Sequence, residues 1–249
     1  MRLNIAALTH LGKVRDHNED TIAVSDWVTH KTIDTAKIFD LKLDIPQLLL
    51  VADGMGGHQG GEVASQWVAS ILSKTLIKNT QNEASLTTAI QATNRELFDQ
   101  MAGNPTLLGM GSTIAGLYLH NDLAWVMNVG DSRVYRVQGD FLAQLSIDDV
   151  LEQPAYGDEM NHHKTGRITQ ALGGANNFIE IIPHLRQINL REGDVFLLCS
   201  DGLSDMLNLD EMERALEEDL QQSIHQLFTQ AMSAGGLDNI SILLARVEH

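Results

Sequence analysis

Four aspartates stand where a run of apolar residues stops. Leu48-Leu49-Leu50-Val51-Ala52 ends in Asp53-Gly54, and Val195-Phe196-Leu197-Leu198-Cys199-Ser200 ends in Asp201-Gly202. Val126-Met127-Asn128-Val129-Gly130 runs into Asp131, and Asp238 stands at the entry to Ile240-Ser241-Ile242-Leu243-Leu244. For any one of them, Asp or Asp-Gly beside a strand is ordinary turn chemistry. Four together point further. Carboxylates gathered at the ends of packed strands repel one another unless cations neutralise them, and oxygen ligands select Mg²⁺ or Mn²⁺ over zinc.

Other groups fall near these acids in sequence. Gly12-Lys13-Val14-Arg15-Asp16-His17-Asn18-Glu19-Asp20 brings a guanidinium and further acids to the start of a strand. Arg15 is suited to a phosphoryl group, because its planar fork matches phosphate oxygens and keeps its charge; an exposed ion pair with Asp16 is the competing reading. Gly54-Met55-Gly56-Gly57-His58-Gln59-Gly60-Gly61 lets backbone carbonyls and amides approach an ion or phosphate closely, ahead of a helix N-terminus. His58 is a candidate general acid, or a surface histidine. Neither a P-loop nor a dinucleotide-binding glycine pattern occurs. Cys199, the single cysteine, lies in an apolar strand with no arginine six residues on, so a thiolate nucleophile is not supported. G-x-S-x-G and H-E-x-x-H are absent as well.

The elements that must position these residues follow from periodicity. Leu3 to Thr9, Asp20 to Trp27 and Gln47 to Ala52 read as strands, the last a buried one. Ala64, Val68, Ile71, Leu72 and Leu76 share one helical face, and Leu86, Ile90, Leu97 and Met101 share another. Ser112 to His120, Leu123 to Asn128, Arg133 to Gln138 and Phe141 to Leu145 form an antiparallel meander with short polar turns. Ile179 to Ile188, Asp194 to Cys199 and Asn239 to Val247 are further strands; Leu209 to Leu220 and Ser223 to Met232 are helices. Grouped strands and grouped helices indicate α+β layers instead of alternating βαβ units. Trp27 to Pro46 reads as an extended hairpin.

With 249 residues, 43% of them hydrophobic, and no linker or repeat, the expectation is one domain over 1–249. The formal net charge of −16 argues against nucleic acid and anionic membranes as partners. No long apolar run occurs and one cysteine cannot make an internal disulfide, which fits a soluble, cytoplasmic protein.

Seven motifs in order, Gly12-x-Val14-Arg15-x-x-Asn18-Glu19-Asp20, Val51 to His58, Gly111-Ser112-Thr113, Val129 to Arg133, Ala171 to Gly174, Ser200 to Leu203 and Asp238 to Ser241, resemble the PPM, or type 2C, metal-dependent serine/threonine protein phosphatases, in particular their compact bacterial branch. The resemblance implies a four-layer sandwich, two antiparallel sheets flanked by helix pairs, with metals in a cleft at one edge. It implies two core ions, Mn²⁺ or Mg²⁺, and a looser third. Asp53 would bridge the pair, the Gly54 carbonyl would join one metal, and Asp201 and Asp238 would hold the other. Glu19 and Asp20 would support them through water, Asp131 would bind the third ion and Arg15 would grip the phosphate. Substrates would be phosphorylated proteins made by a serine/threonine kinase, and the enzyme is expected to be a monomer. Two departures stand out. Ser146-Ile147-Asp148-Asp149-Val150 lies where bacterial relatives carry Asp-His-Ser, and the flap-like segment, Ser146 to Arg167, has only 22 residues. A pseudophosphatase that binds phosphoproteins without hydrolysing them is the alternative, disfavoured by the survival of Asp53, Asp201 and Asp238; a calcium-binding structural protein would need a loop motif that is absent.

Overall fold

The computed structural model describes residues 1–56, 60–151 and 167–249. Its strands alternate between two buried environments, which sets the layering. Along β1 (Arg2–His10), Leu3, Ile5 and Ala7 join one apolar cluster while Ala6 and Leu8 join another. The same split occurs in β5 (Gln47–Ala52), where Leu49 and Val51 face the first cluster and Leu48, Leu50 and Ala52 face a third. A strand apolar on both faces must be covered on both. The first cluster is therefore the seam between two sheets, and the others lie under helices.

One sheet has the order β11 (Phe141–Gln144), β10 (Arg133–Gln138), β14 (Val195–Cys199), β15 (Ile240–Glu248), β1, β4 (Lys37–Lys42). The other runs β13 (His184–Asn189), β9 (Leu123–Val129), β8 (Ile114–His120), β5, β2 (Thr21–Val24), β3 (Trp27–Thr29). All pairings in both are antiparallel. A small third sheet joins β6 (Gly54–Met55), β7 (Gly111–Ser112) and β12 (Leu172–Gly173). Helices α1 (Gly60–Leu76) and α2 (Glu83–Gly103) cover the second sheet; the short α3 (Asp201–Ser204) and α4 (Leu209–Arg214), with α5 (Leu220–Ser233), cover the first. The four-layer α+β arrangement is the expected one.

Several details differ from expectation, and the expected meander is split, with β8 and β9 paired in one sheet and β10 and β11 in the other. The excursion from Trp27 to Pro46 is not a hairpin: β3 pairs with β2 at the edge of one sheet, whereas β4 pairs with β1 at the edge of the other. Trp27 and Phe39 meet with ring centroids 5.0 Å apart and Lys37 Nζ lies over the Trp27 ring, so the segment laces the sandwich shut along one side. The expected strand from Asp20 to Trp27 breaks at Ser25, whose φ of 54° turns the chain between β2 and β3. The strand expected over Ile179 to Ile188 starts at His184. The helix expected over Leu209 to Leu220 stops at Arg214, because Asp219 caps a new one by accepting from Gln221 and Gln222 N–H groups. Ile71 is half-buried, and the deeper face of α1 is filled by smaller Ser65, Ala69 and Ser73.

Candidate metal centre

Strand register decides which acids meet. In the β2/β5 pair Thr21 stands opposite Ala52, so the next residues outward are Asp20 and Asp53. In the β10/β14 pair Arg133 faces Cys199, and extending that register sets Asp131 against Asp201. The β1/β15 pairing ends at His10 and Ile240, and beyond it Gly12 comes so close to the Asp238 carbonyl that a Cβ would sit 2.2 Å from it. With φ at +80°, that position suits glycine alone. The close approach brings the following loop over Asp238, and the Arg15 guanidinium donates to Asp238 Oδ2 at 2.6 Å.

Polar residues beneath the acids hold them in place. Ser200 Oγ donates to Asp20 Oδ2 at 2.7 Å and accepts from the Ser241 amide. Thr113 accepts the Asp53 N–H through its hydroxyl, donates its own N–H to the Asp53 carbonyl, and shares a hydrogen bond with Ser132. Asn239 spends its whole amide on the Arg15 loop: its oxygen accepts the Glu19 N–H, and its nitrogen donates to the carbonyls of Leu11 and His17. Ser65 of α1 donates to the Glu19 carbonyl at 2.5 Å. The tight turn at Gly54 is equally constrained, since a Cβ there would meet the Gly61 and Glu19 carbonyls. A Cβ on Gly61 would lie 2.8 Å from both the Glu19 carboxyl carbon and the Gly54 oxygen. Two of the expected ligands thus converge over a glycine.

The carboxylates stand in an electrostatically unfavourable setting. Burial, followed by the charges of Asp201, Asp20, Asp238 and Asp131, holds the Asp53 carboxyl well above the usual range. Burial and then Asp131 push Asp201 up to about 8. Asp20 rises to about 7 through burial, against the opposing hydroxyls of Ser241 and Ser200. Burial lifts Asp131 to about 6. Among the described residues, Asp20 Oδ1, Asp131 Oδ1 and Asp201 Oδ1 are buried with no hydrogen-bond partner. Orphaned buried oxygens are costly and call for a missing partner.

A family model described as protein phosphatase 2C matches residues 39–239. The chain belongs to the protein phosphatase 2C family. A curated relative, serine/threonine phosphatase stp of Listeria innocua, is 32% identical over 251 residues, covering 95% of this chain and 92% of the relative. PstP of Mycobacterium tuberculosis is 31% identical over 98% of this chain, which spans 45% of that longer protein. Among solved structures, the catalytic domain of PstP in complex with two manganese ions aligns over 100% of both chains with a TM-score of 0.78 and 30% identity.

The donor set fits hard divalent cations: it is all oxygen, carries several negative charges and contains orphaned buried oxygens. Among the described residues no three His, Cys, Asp or Glu side chains are drawn together tightly enough to close round an ion. Asp53 feels the charges of Asp201, Asp20, Asp238 and Asp131, and one oxygen of Asp238 accepts from Arg15. His58, expected as a candidate acid, lies outside the described residues, as does most of the segment expected to be flap-like. Thr113, Ser200, Asn239 and Ser241 had no role in the sequence reading, although each sits inside a motif quoted for the family. For Ser200 and Asn239, placement beside an acid was the available signal; Thr113 and Ser241 have no acid beside them in sequence.

Proposed function

We propose that this chain is a metal-dependent protein serine/threonine phosphatase that hydrolyses phosphoserine and phosphothreonine in proteins to the free hydroxyl and inorganic phosphate. The observation that carries the reading is the ring of raised, partly orphaned carboxylates at the sheet ends, with one guanidinium at its rim. Asp53, the Gly54 carbonyl, Asp201 and Asp238 would hold two ions, Mn²⁺ or Mg²⁺. Glu19 and Asp20 would act from behind through water, and Asp131 would take a third ion. When bound, the cations supply Lewis-acid activation of water and neutralise charge on the phosphoryl group. Asp53 holds its place between Asp20 and Asp201 because Thr113 fixes its backbone from both sides. Arg15, half-exposed at the rim, orients the phosphoryl oxygens with its fork. Phosphoryl transfer needs mainly positioning and charge neutralisation, so no covalent intermediate on the protein is required.

The two manganese ions of the PstP structure support this assignment, as does the retention of Asp53, Asp201 and Asp238, which a phosphoprotein-binding pseudophosphatase need not keep. Such substrates arise from serine/threonine kinases, and the chain is assigned to bacterial signalling opposite one. The proposed ligands run from Glu19 to Asp238 and all belong to one sandwich, which supports one catalytic domain; the enzyme is assigned as a monomer. A single free, buried thiol supports a cytoplasmic location. Purified protein should hydrolyse a phosphothreonine peptide with Mn²⁺ and stop in excess EDTA. Asp53→Ala should lose several orders of magnitude in turnover. Full activity in EDTA, or near-normal turnover of Asp53→Ala, would overturn the metal assignment.

A further inference from the structure

The segment from Ser146 to Asp149 runs as a strap across the turn between β9 and β10, the turn that carries Asp131. Each residue of the strap grips the turn or the strand ends that flank it. Ser146 Oγ accepts the Val134 N–H at 3.0 Å. Ile147 exchanges two hydrogen bonds with the Asn128 side chain, donating its N–H and accepting from Nδ2. Asp148 takes the Arg133 guanidinium at 2.7 Å. Asp149 binds both sides of Gly130: Oδ2 accepts the Gly130 N–H at 2.9 Å, and the Asp149 N–H donates to the Gly130 carbonyl at 2.9 Å. The two consecutive carboxylates therefore hold the turn on either side of Asp131.

The Gly130 peptide is a hard one to place. Its φ is +97°, and a Cβ would meet the Thr113 side chain at 2.6 Å. Thr113 in turn fixes the Asp53 backbone and Ser132. A side chain that pins Gly130 thus sets where Asp131 points relative to Asp53. Asp149 is itself oriented from outside the turn: His184 Nε2 lies 2.9 Å from Oδ1, and Gln170 Nε2 donates to Oδ2 at 3.0 Å. Its carbonyl accepts the Thr169 N–H, beside the Val150 to Ile168 bridge that joins the chain leaving at Leu151 to the chain returning at Arg167. The side chain is 13% exposed. A carboxylate this enclosed, with three donors converging on it, is held in one orientation.

We propose that Asp149, oriented by His184 and Gln170, is a positioning residue for Asp131: through the Gly130 peptide it holds the Asp131 carboxylate ready for a weakly bound third ion. This rests on the reading of Asp131 as a ligand outside the core pair. In this role Asp149 acts through the Gly130 peptide and not on the substrate or an ion.

The test compares Asp149→Ala, Asp149→Asn and Asp131→Ala in the full chain. Amide exchange of Gly130, followed by NMR in metal-free protein, should quicken at least tenfold in Asp149→Ala. In Asp149→Asn it should be largely preserved, because the amide oxygen still accepts that N–H. Calorimetry with Mn²⁺ should show the tight pair of ions intact in both, with the weak ion lost in Asp149→Ala. Turnover on a phosphothreonine peptide should fall between ~10- and ~100-fold for Asp149→Ala with little change in KM, as for a displaced group. Asp149→Asn should recover it to within a few-fold. Normal kcat and a retained weak ion in Asp149→Ala, while Asp131→Ala is impaired, overturn the inference alone. Normal kcat in Asp131→Ala overturns the reading of Asp131 and the inference with it. If Asp149→Ala does not fold, His184→Phe removes a donor that orients the carboxylate: a few-fold loss of kcat with the tight pair intact supports the proposal, and unchanged kcat with unchanged Gly130 exchange sinks it.

Discussion

Protons and cations must compete for the same oxygens, and the competition has a calculable size. Asp201 is pushed up to about 8 and Asp20 up to about 7, in both cases by burial first and neighbouring acids after it. Metal binding requires the ionised forms, so each bound proton has to leave. Moving from pH 8 to pH 6, the Asp201 proton weakens Mn²⁺ binding by roughly 50-fold, and the Asp20 proton adds about tenfold. The core affinity should therefore drop by roughly two to three orders of magnitude. The sign for folding follows from the same shifts. These folded-state values lie above the unfolded ones, so metal-free protein gains stability below the ordinary carboxylate range and loses it as pH rises through about 6 to 8. Mn²⁺ should raise Tm far more at pH 8 than at pH 6. Isothermal calorimetry at pH 6, 7 and 8, in buffers of different ionisation enthalpy, reads both the affinity and the protons released. A dissociation constant that does not change with pH, with no proton release at pH 7, would refute the picture of protonated, repelling acids.

Two further outcomes test other parts of the site. Arg15→Ala removes an ion pair whose side chains are 50% and 34% exposed, so metal-free Tm should shift by no more than about 1 kcal/mol equivalent, while KM for a phosphopeptide rises at least ~10-fold. Arg15→Lys should recover part of it, and an unchanged KM in the alanine variant would remove Arg15 from substrate binding. Cys199 is fully buried and its thiol is pushed up to about 12, so iodoacetamide should leave turnover intact. Stoichiometric inactivation that phosphate prevents would reverse that assignment.

The acids of the site were legible because hydrophobic runs stop abruptly at them, and a run that stops marks a strand end whatever the strand pairs with. Pairing itself was not legible. The residues from Lys37 to Lys42 have the composition of any edge strand, and nothing local tells them to join β1 instead of folding back on β3. The two-residue strands β6, β7 and β12 are too short to leave a periodic signal, and their glycines read equally well as loop. The roles of Asn239 and Thr113 were hidden for a different reason. Asn239 beside Asp238 looks solvated until the chain brings residues 11, 17 and 19 to its amide, and Thr113 reads as a strand residue until the Asp53 backbone reaches its hydroxyl. Asp149 is the clearest case. In sequence it is one of two consecutive acids after a strand, and only the strap geometry shows the donors gathered on it.

A ring of raised carboxylates cannot be what holds this fold together. Three apolar clusters do that, and strands β1, β5, β14 and β15 feed two of them at once through opposite faces. The sandwich ends where those faces end, and the acids sit there because a strand terminus is where the backbone turns and water or an ion can reach it. Asp20 and Asp53 extend one sheet, Asp201 and Asp238 extend the other, and Asp131 lies in the crossing from β9 to β10 that joins them. Ions bound among these acids would tie the two sheets together across their open end. The same geometry places unpartnered buried oxygens at this end and sets the Arg15 guanidinium on Asp238. A local conflict of this kind, kept in place by well-packed surroundings, is characteristic of a functional site. The stability given up in the metal-free protein is what makes the site bind cations, and the net charge of −16 makes cations the partners the rest of the surface also favours.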